Sequence, residues 1–207
     1  EITCRDWSSD VCSSDLIDAN DLNPGASPML TPENTLLVVI DVQGKLARVV
    51  DESEKAVRAI SQLVEGAQLL EIPVLLTAQV PEKIGHTIPE VASLLPGQSD
   101  LPRVHFSIWQ DAAVQQAIRN SGSRQLLLCG FETHICLYQS SLDLIANGFQ
   151  VYLAADAVSS RNPYNKEIAL QELSNQGVHL TTVEMALFSL LRSAQHPAFK
   201  AISRLIK

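Results

Sequence analysis

The sequence predicts a three-layer, doubly wound α/β fold of Rossmann-like type: a mostly parallel six-stranded sheet with helices on both faces. Three observations predict it. Short apolar runs rich in valine, leucine and isoleucine recur along the chain, as expected of strands buried on both faces. Stretches with helical apolar spacing separate them, and such crossovers make neighbouring strands parallel. Over 207 residues, a hydrophobic fraction of 46% suffices for one sizeable core.

The elements follow in order. TLLVVID (35–41) is the first strand. Over 53–70, Ala56, Val57, Ile60, Leu63, Val64, Ala67 and Leu70 mark one helical face. IPVLLT (72–77) is the second strand. A long Pro- and Gly-bearing loop follows, with a short helix predicted near 88–95. A short third strand falls at 101–105 and a helix at 110–121. QLLLCG (125–130) is the fourth strand, and the helix after it, 134–147, stops at Gly148. FQVYLAAD (149–156), a helix over 164–176, VHLTT (178–182) and helices near 183–192 and 197–206 complete the chain. One domain is expected over 29–207.

The formal charge of −8 and the lack of a basic block argue against nucleic acid and anionic membranes as partners. No run approaches the roughly 18 apolar residues needed to span a bilayer. The expectation is a cytoplasmic protein acting on a small molecule. RDWSSDVCSSDL (5–16) is unlike the rest: polar, without apolar period, and similar to the translation of a sequencing-library adapter. Residues 1–28 are therefore expected to be a disordered or artefactual tail, with Met29 as the natural start. Setting it aside leaves Cys129 and Cys136, and no disulfide framework.

Ligands of open α/β sheets bind outside the carboxyl ends of the strands, where strand order reverses. The residues to read are Asp41, Thr77 with Gln79, the segment from Gly130, and Asp156. There is no GxGxxG or GxxxxGK[ST] phosphate loop and no GxSxG elbow. The five histidines form no metal-ligand spacing, so no metal and no cofactor are expected. A cysteine at the start of a helix remains. Unpaired backbone N–H groups there favour a thiolate and lower its pKa. Cys129 lies inside an apolar strand and reads as core. For Cys136 the spacing leaves two readings open, buried core residue or nucleophile.

LLVVIDVQ (36–43), HFS (105–107) and LLLCGFETHICLYQSSLDLIANGFQVYLAADAVSSR (126–161), with its G-x-x-T-x-x-C block, resemble the isochorismatase-like cysteine hydrolases. HPAFKAISRLIK (196–207) resembles the branch of isochorismatase-domain-containing proteins. The resemblance implies a six-stranded parallel sheet carrying an Asp, Lys and Cys site. Asp41 would take the thiol proton as acid/base, and Cys136 would form a thioester-like intermediate. Backbone N–H groups near Glu132 and at Cys136 would form an oxyanion hole. A cis peptide is implied at Phe131–Glu132, and a homo-oligomer is implied as well.

Two positions depart from the family pattern. The family lysine stands two residues before the H-F-S stretch, and here that position is Arg103, read either in the lysine's role or as a surface arginine on a loop. Arginine keeps the charge but presents a larger planar fork that does not give up a proton. The nicotinamidase branch holds a metal after the second strand, where this chain reads TAQVPEK (77–83), without aspartate or histidine. TAQVPEKIGHTIPEV (77–91) instead resembles an uncharacterised-hydrolase branch.

Gln43, Thr77, Gln79, Phe106 and Trp109 are placed around the pocket, although loop polarity and aromatic core packing explain the last four nearly as well. Thr133 orients the cysteine loop or caps the next helix. Asp156, Ser160 and Arg161 organise the neighbouring loop, with Arg161 pairing to Asp156. The functional expectation is cysteine-dependent hydrolysis of a small amide or related acyl compound. The alternative is a non-catalytic member that keeps the fold as a binding or assembly module. Arg103→Lys separates them, since lysine should raise the turnover of a merely weakened site.

Overall fold

The structure is a computed structural model that describes residues 29–207. The expectations for residues 1–28 lie outside the described residues. Six strands form one sheet: β1 (Thr35–Ile40), β2 (Val74–Gln79), β3 (Leu101–Arg103), β4 (Gln125–Phe131), β5 (Gln150–Ser159) and β6 (His179–Thr181). Their order is β3-β2-β1-β4-β5-β6, and every adjacent pair is parallel. This is the doubly wound architecture that the alternation predicts.

Nine helices are described: α1 (Leu46–Val49), α2 (Ser53–Leu69), α3 (Pro81–Ile84), α4 (Pro89–Ala92), α5 (Ala112–Asn120), α6 (Tyr138–Ala146), α7 (Pro163–Asn175), α8 (Val183–Leu191) and α9 (Phe199–Leu205). The period of two along each strand divides the core. Leu37, Val39, Leu127 and Cys129 face α2 and α8, meeting Ile60, Leu63, Val64 and Leu187. Leu36, Val38, Ile40, Leu126 and Leu128 face the other way, against Val114, Ile118, Leu144 and Leu173 of α5, α6 and α7. A fully buried aliphatic side chain contributes about 1.5–3 kcal/mol, so both faces of β1 and β4 anchor the sheet. Among the described residues, no helix is long and apolar enough to cross a membrane.

Four elements differ from the sequence reading. β2 runs to Gln79 because its last residues pair with β3, Gln79 opposite Arg103. β5 runs to Ser159 because it bulges: Leu128 pairs with Leu153, but Gly130 pairs with Val158. The one-turn helices α1 and α3 lie in stretches read as loop, too short for a period to register. Their loops are held by an isolated bridge between Gln43 and Thr87.

The order reverses between β1 and β4, so their carboxyl ends form the crevice. Gly130 makes that approach possible. A Cβ there would lie 1.9 Å from the Ile40 carbonyl oxygen, and its φ of 120° suits glycine.

Candidate active site

Asp41 follows β1 directly, with a left-handed φ of 54°. Its N–H donates to the Thr77 carbonyl at 3.1 Å, fixing the residue across the end of β2. Its carboxylate is almost wholly buried. One oxygen accepts from the Gln79 N–H at 3.1 Å, and the other takes the Arg103 Nη2. Arg103 comes from the end of β3, on the far side of β2, and is also buried. Its Nη1 donates to the carbonyls of His105 and Phe106. The arginine fork thus serves one carboxylate and two backbone carbonyls at once.

Cys136 enters from the other side of the crevice. Phe131–Glu132 is a cis peptide, and a π turn over Thr133–Leu137 then carries the thiol before α6 begins. The sequence reading of an ordinary helix from about 134 is corrected here: the wider turn precedes the helix, as often occurs at functional sites. The thiol is 5% exposed, and its Sγ lies 3.9 Å from Gln79 Oε1. Burial pushes Asp41 up to about 6, against the pull of Arg103 and a hydrogen bond from Cys136. Burial, with the Asp41 charge second, pushes the Cys136 thiol up to about 12, while Arg103 pulls it down. The expected lowering of the thiol pKa is therefore not found. Desolvation and a neighbouring carboxylate outweigh the cation and the turn. Cys129 is fully buried in β4, and burial pushes its thiol far upward.

The loop that carries Cys136 is stitched to the end of β5 by three consecutive side chains. Buried Glu132 accepts from the Arg161 N–H at 3.0 Å and its Nε at 3.1 Å. Thr133 Oγ1 donates to the Ser159 carbonyl at 3.1 Å, and His134 Nδ1 meets Ser160 Oγ at 3.0 Å. The Asp156–Arg161 pairing read from the sequence is replaced: Asp156 sits in the bulge and accepts from the Val183 N–H at the start of α8.

Of the residues placed around the pocket, Gln79 alone reaches the thiol. Gln43 is fully buried, and its amide is consumed by backbone: Nε2 donates to the Gln79 and Gly85 carbonyls, and Oε1 accepts from the Gln79 N–H at 2.7 Å. It braces the site from behind. Thr77 is also fully buried. Trp109 is core, edge-on to Phe149 at 5.2 Å with the Arg119 guanidinium over its ring. Phe106 is half-exposed. Among the described residues, no group of three His, Cys, Asp or Glu side chains is placed to hold a metal.

This geometry meets a direct comparison with known proteins. A family model described as the isochorismatase domain matches residues 35–185, most of the chain and all the site residues above. The chain belongs to the isochorismatase-domain family. The secreted isochorismatase effector Isc1 of Phytophthora sojae is 35% identical over 182 residues, 86% of this chain and 87% of that protein. Isochorismatase domain-containing protein 2B of Mus musculus is 36% identical over 177 residues, 85% of this chain and 82% of that one. The solved structure of the MAR1 ribonuclease from Caenorhabditis elegans superposes with a TM-score of 0.80 at 29% identity, covering 86% of this chain and 92% of that one. Membership places the chain with cysteine-hydrolase-type enzymes, in the isochorismatase class of hydrolases.

Proposed function

We propose that the protein hydrolyses a small amide or related acyl compound through Cys136. The observation that carries this is the gathering of a carboxylate, a cation and a thiol in one buried cluster at the strand-order reversal. The Cys136 sulfur attacks the carbonyl carbon while its proton passes to Asp41. Backbone N–H groups of the Glu132–Cys136 turn hold the developing oxyanion. The tetrahedral intermediate collapses, the C–N bond breaks, and Asp41 returns the proton to the leaving amine. Water then attacks the thioester, with Asp41 again as base, and releases the acid and the thiol.

Arg103 keeps its charge throughout and holds Asp41 ionised beside a neutral thiol. Asp41, at about 6, is a carboxylate at pH 7 and basic enough to accept a proton. No metal and no cofactor take part in this reading. The lack of a basic block supports a small-molecule substrate over a nucleic acid, whose phosphates call for clustered lysine and arginine. The ribonuclease name belongs to the worm protein. A cytoplasmic location and a homo-oligomer are part of the proposal, and the oligomer is supported by Met185 and Phe188, apolar side chains that α8 leaves uncovered.

One observation favours a second reading, a non-catalytic binding module: the thiol is nearly closed off. A panel of small amides and matching esters, run with the wild type and Cys136→Ala, separates the two. Hydrolysis lost in the variant supports catalysis. A folded wild type inert on the whole panel supports the binding module.

A further inference from the structure

The segment after β3, Val104–Phe106, forms a strap held against Arg103. Its polar backbone is gripped from two sides. From inside, Arg103 Nη1 donates to the His105 and Phe106 carbonyls. From outside, Asp111 Oδ1 accepts from the Val104 N–H and Oδ2 from the His105 N–H, both at 3.3 Å. Asp111 Oδ1 also meets the His105 Nδ1 at 3.2 Å.

Asp111 occupies the N-cap position of α5, yet its side chain makes no cap bond. Capping is the ordinary use of an aspartate there, and here the carboxylate turns to the strap instead. The far end of the strap is fixed separately, by Ile108 N–H donating to Ser140 Oγ at 3.0 Å. With Gln139, Leu142 and Asp143 of α6, the strap lines a cleft of about 550 Å³.

We propose that Asp111 is a positioning residue for the active site: by holding the Val104–Phe106 strap from outside, it fixes the carbonyls that aim the Arg103 fork at Asp41. The inference rests on the reading of Asp41, Arg103 and Cys136 as the reacting cluster. Without Asp111, the Val104 and His105 N–H groups turn to water and the two carbonyls drift. Arg103 then follows them, because its Nη1 has these two partners and its Nη2 has Asp41. A looser cation stabilises the Cys136 thiolate less. Val104 and His105 are themselves exposed, so their N–H groups find water when Asp111 is removed and the fold is left standing.

The test uses the full chain and iodoacetamide, with the rate of Cys136 alkylation followed by mass spectrometry at one alkaline pH. Asp111→Ala is expected to lower that rate about fivefold, with thermal unfolding close to wild type. Asp111→Asn keeps one acceptor oxygen and recovers part of the loss. In an Arg103→Met background, Asp111→Ala is expected to change nothing further. If Arg103→Met does not fold, Asp41→Asn/Arg103→Met, which removes both charges, serves as the background. A rate in Asp111→Ala at or above wild type overturns the proposal. So does an equal fall in the background lacking Arg103, since Asp111 would then act by another route. The amide and ester panel is read separately. Hydrolysis that persists in Cys136→Ala sinks the catalytic reading, while the alkylation cycle still reports on Asp111.

Discussion

Asp41 and Arg103, 62 residues apart in sequence, close a buried ion pair across the end of β2. Removing one partner of such a pair strands the other charge. Arg103→Met is expected to destabilise the protein by about 3–5 kcal/mol, and Asp41→Asn/Arg103→Met to recover most of that. Urea unfolding of the three proteins checks it. Equal stability in wild type and Arg103→Met would show that the pair is not closed in solution.

Arg103→Lys gives a sharper answer. The sequence alone suggests that, in a merely weakened site, restoring the family lysine raises turnover. The fork geometry leads to the opposite prediction, because the single nitrogen of a lysine does not reproduce the planar fork that meets the Asp41 carboxylate and two carbonyls. Activity is expected to fall about tenfold. A rise in kcat would contradict the positions given to the fork.

The pH dependence follows from Asp41. Its carboxyl is raised from 3.8 to about 6, so the base is lost as pH falls through 6. Activity is expected to level off above that point and to drop about tenfold per pH unit below it. The thiol, at about 12, adds no second limb near neutrality. A kcat/KM profile with its acidic limb near 4 would remove Asp41 from the role of base.

The two cysteines should part company. Cys136→Ser is expected to abolish hydrolysis while leaving the fold intact. Cys129→Ala removes one buried sulfur from β4 and should cost about 1 kcal/mol with activity retained. Activity lost on changing Cys129, at unchanged stability, would reverse the assignment.

Glu132 tests the stitched loops. Glu132→Ala leaves the Arg161 N–H without its acceptor, a cost of about 1–3 kcal/mol, and frees the turn that carries Cys136. Glu132→Gln keeps a neutral acceptor and should restore most of the stability and the activity. Equal activity in all three proteins would separate the stitch from catalysis.

Much of this arrangement is legible in the sequence. The apolar runs around Val38 and Leu127 mark strands buried on both faces, and the resemblance to the family places Asp41, Arg103 and Cys136. What the sequence does not carry is non-local. Gln43 looks like a pocket residue until its amide is found satisfied by the Gln79 and Gly85 backbone. Trp109 looks like a pocket wall until Phe149 packs on it. Arg161 looks like a partner for Asp156 because the two are near in sequence, but the bulge in β5 carries Asp156 to α8 and leaves Arg161 beside Glu132. Asp111 carries only the signal of a helix cap. The thiol pKa depends on burial, which no local motif encodes.

The central claim is that Cys136 carries the acyl group. Rapid-quench mass spectrometry during turnover on the amide and ester panel tests it most directly. An acyl adduct is expected on the peptide containing Cys136, rising before product is released, with no adduct or product in Cys136→Ala. Turnover that continues in Cys136→Ala, or product formed in wild type with the acyl group on another residue, would contradict it.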